Sequence, residues 1–353
     1  MRCLEIDEAI DRLQSPHARE TWSPLGEAPM LALDARDGAE RSTPTARAAA
    51  AVAIMSLPAP VAALADAAAR TRVPELLAAC DVVVASDEEL AEVASGVAAA
   101  PLAAATLVQV LRAGAALDVG AALAVESMAY AALQAGPEHA RWLAARPAAG
   151  RRAAEGGGEV VCVERTAREL VLTLARPARH NAYSAAMRDA LAAALAVALV
   201  APELGVVLRG AGPSFCSGGD LDEFGTRPDP ATAHLVRTTR SPAAALAALG
   251  ARLRVEVHGA CIGAGIELAA WGRELVAAPD AFFALPEVAM GLIPGAGGTA
   301  SLPRRIGRQR TTLLALTGRR LDAATAHAWG LVDAVGRPNL APAGPRSSDD
   351  AGR

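Results

Sequence analysis

Two glutamates, Glu267 and Glu287, stand twenty residues apart in HGACIGAGIELAAWGRELVAAPDAFFALPEVAMGLIPGAGGT, each behind a glycine-rich or proline turn. A third piece lies upstream in FCSGGD, Phe215 to Asp220. Paired carboxylates suit acid/base work because one takes a proton while the other gives one, provided both face the same reacting atoms. A glycine turn exposes backbone N–H groups, and such amides stabilise negative charge developing on a polarised carbonyl oxygen. The combination points to acid/base chemistry beside an oxyanion hole. Taken alone, a glutamate early in a helix is more simply a partner for the helix dipole, and a lone glycine turn is more simply a turn.

For these groups to converge, strands must deliver the turns. GVVLRG and RLRVEVHG read as short buried strands, each entering a glycine turn that opens a helix, a junction whose orphan N–H groups face outward to a ligand. The amide of Gly219 in FCSGGD and that of Ala264 in GACIGAGIE are the two candidate donors. Upstream, EVVCVERT and ELVLTLAR alternate apolar and polar residues about a short turn, which predicts a β-hairpin. A loop centred on Asn181 follows, then an amphipathic helix from about Ser184 to Leu199 with Met187, Leu191, Leu195 and Leu199 on one face. Alternating strands and helices predict an α/β layered core with right-handed crossovers.

The stretch RPAAGRRAAEGGGE separates this core, residues 159–337, from an unlike first half, with a linker at 148–158. Ahead of it, PLAAATLVQVLR, ALAVESMAYAALQ and PEHARWLAARP place apolar residues at helical spacing, so the region is read as mainly helical. Short strands are expected at CDVVVAS and at Met30–Ala35, and residues 1–79 carry no functional assignment.

Composition narrows the classes. At 353 residues and 52% hydrophobic content the chain can bury a sizeable core. A net charge of −4 and the absence of lysine argue against nucleic-acid partners. The longest apolar run, Ala48 to Ala65, is mostly alanine and is broken by Pro58 and Pro60, so no membrane span is expected. The acidic MRCLEIDEAIDRLQ is unlike a secretory signal. Cys3, Cys80, Cys162, Cys216 and Cys261 lack the spacing of a disulfide framework or a zinc site, so no metal and a cytoplasmic setting are expected. Cys216 and Cys261 read as packing, His258 as a strand end, Gly295–Thr299 as a tight helix entry, and PRRIGRQR as a solvated helix face.

The motifs RPARHNAYS, FCSGGDLDEF, HGACIGAGIELA, LPEVAMGLIPGAGGTASLPRRIG and AHAWGLVDAVG resemble, in order and spacing, the core of the crotonase (enoyl-CoA hydratase/isomerase) superfamily over about residues 157–335. That resemblance implies a spiral of ββα turns, usually assembled as a homotrimer or hexamer, acting on an acyl-CoA thioester with no cofactor beyond the coenzyme A of the substrate. It implies an oxyanion hole at Gly219 and Ala264 and catalytic carboxylates at Glu267 and Glu287, the first working on water and the second on carbon, in hydration of a 2-enoyl-CoA. It also implies coenzyme A contacts at Arg179 and Ala182 in one loop and at Gly219, Asp220, Leu221 and Ala264 in the others, with Asp222 standing where many relatives carry a basic residue. An enoyl-CoA isomerase, another acyl-CoA enzyme of the superfamily and a non-catalytic scaffold subunit are the alternatives.

Crotonase-like chains continue past GLVDAVG with helices that cover the acyl pocket, whereas here RPNLAPAGPRSSDDAGR follows, which reads as disordered at 338–353. Residues 80–147 resemble that missing helical tail, so the expectation is that they roof the core from the N-terminal side.

Overall fold

The computed structural model describes residues 3–36, 41–146, 158–226 and 229–336. Nearly all of the expected linker, and the 338–353 tail, lie outside the described residues.

The first half is mainly helical and is built on a four-stranded parallel sheet in the order β1 (Leu4–Glu5), β2 (Leu31–Asp34), β3 (Val61–Leu64), β4 (Val82–Val84). Helices α1 (Ile6–Leu13), α2 (Ala18–Thr21), α3 (Pro44–Ser56), α4 (Ala67–Arg72) and α5 (Pro74–Ala79) connect these strands, as parallel neighbours require. Helix α3 begins where Thr43 accepts the Ala46 amide and Pro44 takes the first position, where its missing N–H costs nothing. Strand side chains alternate between two apolar clusters. Leu31, Leu33, Val61 and Ala63 face one packed by α1 and α3, whereas Ala32, Ala62, Leu64, Val82 and Val84 face the main core. Of these four strands, the sequence pattern had indicated two.

Four helices then leave β4: α6 (Asp87–Ala99), α7 (Pro101–Gly114), α8 (Val119–Gln134) and α9 (Pro137–Ala145). Ser86 and Asp118 cap α6 and α8 by accepting the Glu89 and Ala121 amides. Buried Val93, Val97, Ala104, Leu107 and Leu111 belong to the same cluster as the second-half core.

The second half opens with the expected hairpin, β5 (Val161–Arg165) and β6 (Glu169–Leu174), followed by α10 (Ala185–Val200) and β7 (Gly205–Gly210). Helices α11 (Pro230–Thr239) and α12 (Pro242–Leu249) lead to β8 (Leu253–Val257). From there the chain repeats one pattern. β8, β9 (Ala260–Ile262) and α13 (Ala264–Ala269) are followed by β10 (Glu274–Ala277), β11 (Phe282–Ala284) and α14 (Gly298–Ile306), then α15 (Arg308–Thr317), β12 (Leu321–Asp322), α16 (Ala323–Ala328) and β13 (Ala334–Val335). The β8–β9 and β10–β11 turns each lay the first strand in a six-stranded sheet, order β13-β10-β8-β7-β6-β5, and the second in a three-stranded sheet, order β12-β11-β9, and β12 and β13 join the two sheets in the reverse order. This mixed α/β spiral of ββα turns is the architecture the resemblance implied.

Helices α7 and α8 pack on α14, α6 on α15, and α8 also on α11 and α12. At the seam Asp81 is fully buried. It accepts from Arg112 of α7 at 2.9 Å and from Arg308 of α15 at 2.6 Å, while Arg112 also donates to the Ala59 carbonyl at 3.0 Å. PRRIGRQR is therefore not a solvated face. Arg304 binds the Leu117 and Ala300 carbonyls, Arg305 binds the Gly272 carbonyl and Asp333, and Arg308 binds Asp81. The sequence expectation failed because a basic cluster in one sequence segment says nothing about acceptors brought to it by another.

Candidate active site

The two glycine turns are stitched side by side. The Cys216 amide donates to the Ala260 carbonyl and the Ile262 amide to the Cys216 carbonyl, both at 3.0 Å, so the FCSGGD turn runs alongside β9 and into the turn that opens α13. Among the described residues neither the Gly219 nor the Ala264 amide donates to a protein acceptor, and both residues line one cavity of about 170 Å³. Gly263, at φ +51°, tolerates no side chain, since a Cβ there would lie 2.4 Å from Glu287 Oε1.

Glu267 and Glu287 line the same cavity. Glu267, 2% exposed, sits in the first turn of α13 and accepts the Ala296 and Gly298 amides on Oε2 at 2.7 and 2.8 Å. Glu287 leads the turn Val288–Met290, and its buried Oε2 meets no donor. Burial pushes Glu267 well above the usual carboxylate range, reinforced by the charges of Glu287 and Glu126. Burial, with repulsion from Glu126, pushes Glu287 up to about 7. The carboxyl set is therefore partly protonated near neutrality, and its members titrate together. Within it the two amides on Glu267 favour its charged form, and the donor-free Glu287 oxygen favours a neutral carboxyl.

A carboxyl that binds its proton more tightly folded than unfolded stabilises the fold fully below its unfolded value, here 4.5, and loses that contribution as pH rises through the folded value, about 7 for Glu287. Tm is accordingly expected to fall between pH 5 and pH 8. Glu287→Gln, which cannot ionise, is expected to flatten the fall and to melt roughly 5 °C higher than wild type at pH 8. Thermal melts of both proteins across that range check this; a parallel pH dependence in the variant refutes it.

Glycine is also needed at Gly298, where a Cβ would lie 2.5 Å from Glu267 Cγ. Gly298→Ala is expected to lower turnover about 100-fold by displacing that carboxylate. Steady-state rates test it. Because both changes act through the same carboxylate, adding Gly298→Ala to Glu267→Gln should cost little beyond the loss from Glu267→Gln alone.

Several lining residues escaped the sequence pattern, three of them on α8 and α11. Tyr130 and Gln134 of α8 and Arg237 of α11 close the cavity from above. The Tyr130 ring fills the space beside Gly295, where a Cβ would lie 2.3 Å from its Cδ2, and the Arg237 guanidinium lies 4.5 Å over that ring. Arg237 Nε donates to Ser127 Oγ at 3.1 Å, fixing α11 on α8. A signal was present. Glu126, Tyr130 and Gln134 recur every four residues in an otherwise apolar helix, a polar stripe that needs a polar neighbour. Helix α9 buttresses the second carboxylate turn, with His139 Nδ1 donating to the Met290 carbonyl at 3.0 Å.

Of the residues expected to contact coenzyme A, Gly219, Asp220 and Ala264 line the cavity with Glu267 and Glu287, whereas Arg179, Ala182 and Leu221 do not. Asp220 accepts from Arg176 at 2.9 Å and from Arg179 at 3.1 Å, and Arg179 also pairs with Asp222. Arg179 is thus held by two carboxylates, the second being Asp222. Asn181, left-handed at φ +53°, accepts the Arg176 amide and donates to the Ala211 and Ser214 carbonyls, which ties its loop to the start of the FCSGGD turn. His258 Nε2 is committed to the Gly212 carbonyl at 2.8 Å.

Comparison with known proteins bears on this site. Residues 164–338 match the family model described as Enoyl-CoA hydratase/isomerase. The chain is similar to the 2,3-dehydroadipyl-CoA hydratase of Escherichia coli, 37% identical over 49% of this chain and 68% of that one. It is also similar to the 1,2-epoxyphenylacetyl-CoA isomerase of the same organism, 38% identical over 46% of this chain and 64% of that one. The crystal structure of an enoyl-CoA hydratase from Thermoplasma volcanium matches with a TM-score of 0.47 at 32% identity, covering 51% of this chain and 72% of that one. The chain spans 62 to 68% of the length of the curated relatives it matches. It belongs to the enoyl-CoA hydratase/isomerase family.

Proposed function

We propose that the protein hydrates a 2-enoyl-CoA thioester to the 3-hydroxyacyl-CoA. The observation that carries this reading is the convergence of the Gly219 and Ala264 amides with Glu267 and Glu287 on one cavity. The thioester carbonyl oxygen sits between the two amides. Glu267, held by two amides on Oε2, takes a proton from water as the water oxygen bonds to the β-carbon. The displaced π electrons move to the carbonyl oxygen, and the resulting enolate charge is met by fixed N–H dipoles rather than by reorganising solvent. Neutral Glu287 then gives its proton to the α-carbon and the carbonyl reforms. One water has been added, and a proton exchange between the two carboxyls restores the starting state. Both carboxyls and the water occupy one buried site, which replaces a termolecular encounter with a bound geometry.

Relatives of similar identity are named as hydratases and as an isomerase. Two buried carboxyls, one whose Oε2 accepts two amides and one whose Oε2 meets no donor, favour the hydratase, because shuttling one proton between carbons needs a single carboxyl. Incubating the protein with crotonyl-CoA and longer enoyl-CoAs, and following loss of the conjugated thioester absorbance, tests the reading. Absence of turnover with every chain length would set it aside.

A further inference from the structure

The turn Ala296–Thr299, which enters α14, presents four successive amides, and two carboxylates take them alternately. Ala296 and Gly298 donate to Glu267 Oε2 at 2.7 and 2.8 Å. Gly297 donates to Glu126 Oε1 at 2.8 Å, and Thr299 donates to Glu126 Oε2 from its amide at 2.8 Å and from its hydroxyl at 2.7 Å. Amides at a helix start lack partners within the helix, so each carboxylate satisfies donors that would otherwise be buried and unpaired. Glu126 is 3% exposed and does not line the cavity. It comes from α8, more than 140 residues before Glu267.

We propose that Glu126 is a positioning residue for Glu267, supplied by the N-terminal half of the chain and acting through the shared turn. This rests on the hydratase reading above. If Glu126 releases Gly297 and Thr299, the turn loses the partners of two of its four amides, the Ala296 and Gly298 amides are less firmly aimed at Glu267, and the carboxylate shifts off the water it must deprotonate. Seating α8 and setting the catalytic carboxylate are then one event.

Charge adds a second handle. Glu126 faces Glu267 of α13, Glu287 of the turn after β11, Arg237 of α11, and Tyr130 on its own helix. Burial pushes Glu126 itself up to about 7, and where it is ionised its charge repels both Glu267 and Glu287, so replacing it with a neutral group lets each of them ionise at lower pH.

The test compares full-length wild type with Glu126→Gln, Thr299→Val and Thr299→Ser. Glutamine keeps the volume but turns an NH2 group toward an amide donor. For Glu126→Gln, kcat is expected to fall about 10- to 100-fold with KM within about threefold, because the residue is off the cavity. The acid limb of the pH profile is expected to move about one unit lower. Thr299→Val should lose less, since only the hydroxyl donor is gone, and Thr299→Ser, which keeps both donors, should match wild type. A kcat within threefold of wild type in Glu126→Gln, or a lowered Tm with an unmoved pH profile, overturns the proposal. If wild type turns over no enoyl-CoA, the hydratase reading fails by itself. The Glu267 titration, followed by NMR on ¹³C-glutamate-labelled protein and assigned with Glu267→Gln, then decides this one: a midpoint lowered in Glu126→Gln supports it and an unmoved midpoint refutes it. Should Glu126→Gln not fold, the same titration in Thr299→Val decides between the two outcomes.

Discussion

Glu287→Gln is expected to lower kcat for hydration of an enoyl-CoA by about three orders of magnitude, and Glu267→Gln by a similar factor, with KM shifting less than about threefold in either. Each carboxyl carries one of two proton transfers, and an amide can replace neither a base for water nor an acid for carbon. On the proposed reading the thioester is held by the Gly219 and Ala264 amides, which line the cavity and which the substitutions leave in place. The wild-type profile of kcat against pH should be a narrow bell. Its two limbs belong to the interacting carboxyl set, in which burial holds Glu267 well above the usual carboxylate range and Glu287 at about 7. Glu287→Gln should abolish the alkaline limb of whatever residual rate survives. Steady-state kinetics of the three proteins between pH 5 and pH 9 check all of this. Loss confined to Glu287→Gln would convert the assignment to an isomerase, in which one carboxyl moves a proton between carbons, and unaltered rates in both would leave the glutamates structural.

The residues of the candidate site were legible in the sequence because they are carried by local features. A strand, a glycine turn and a helix start are each written in consecutive residues, and Gly219, Ala264, Glu267 and Glu287 lie within or beside such units. The hairpin, helix α10 and strands β7 and β8 were legible for the same reason: alternation and helical spacing are local. What sequence could not supply was the partner across the fold. Arg179 looked available to coenzyme A until Asp220 and Asp222 closed on it, and PRRIGRQR looked solvated until Asp81 and the carbonyls of Leu117 and Gly272 were placed against it. Glu126 was legible only as part of a polar stripe on α8, because the donors it meets, the amides of Gly297 and Thr299, belong to a turn far along the chain. The sheet of residues 1–79 was missed in part because β1, two residues long, and the alanine-rich β3 offer almost no alternation to read.

Deleting residues 1–147 is expected to yield a protein that is insoluble or, if solubilised, has no measurable turnover. Three losses compound. The faces of α14, α15 and α11 that α6, α7 and α8 cover would be exposed as contiguous apolar surface, since Val97, Ala104, Leu107 and Leu111 share one cluster with Leu302, Leu313 and Leu314. Arg308 would lose Asp81 and the Ala78 and Ala79 carbonyls, the partners that fix α15 at the seam. The cavity would lose Tyr130 and Gln134, and the turn that holds Glu267 would lose Glu126, so even a folded core would present an unroofed site to bulk water, where the amide dipoles act more weakly on a developing charge. Expressing residues 148–353 and measuring solubility, oligomeric state and enoyl-CoA turnover beside the full chain tests whether residues 80–147 act as the roof of the core. A soluble fragment with the kcat of the full chain would show that the N-terminal half is an appendage. Recovery of turnover on adding residues 1–147 as a separate chain would show the opposite, because only docking of α8 onto α14 can return a carboxylate to Gly297 and Thr299.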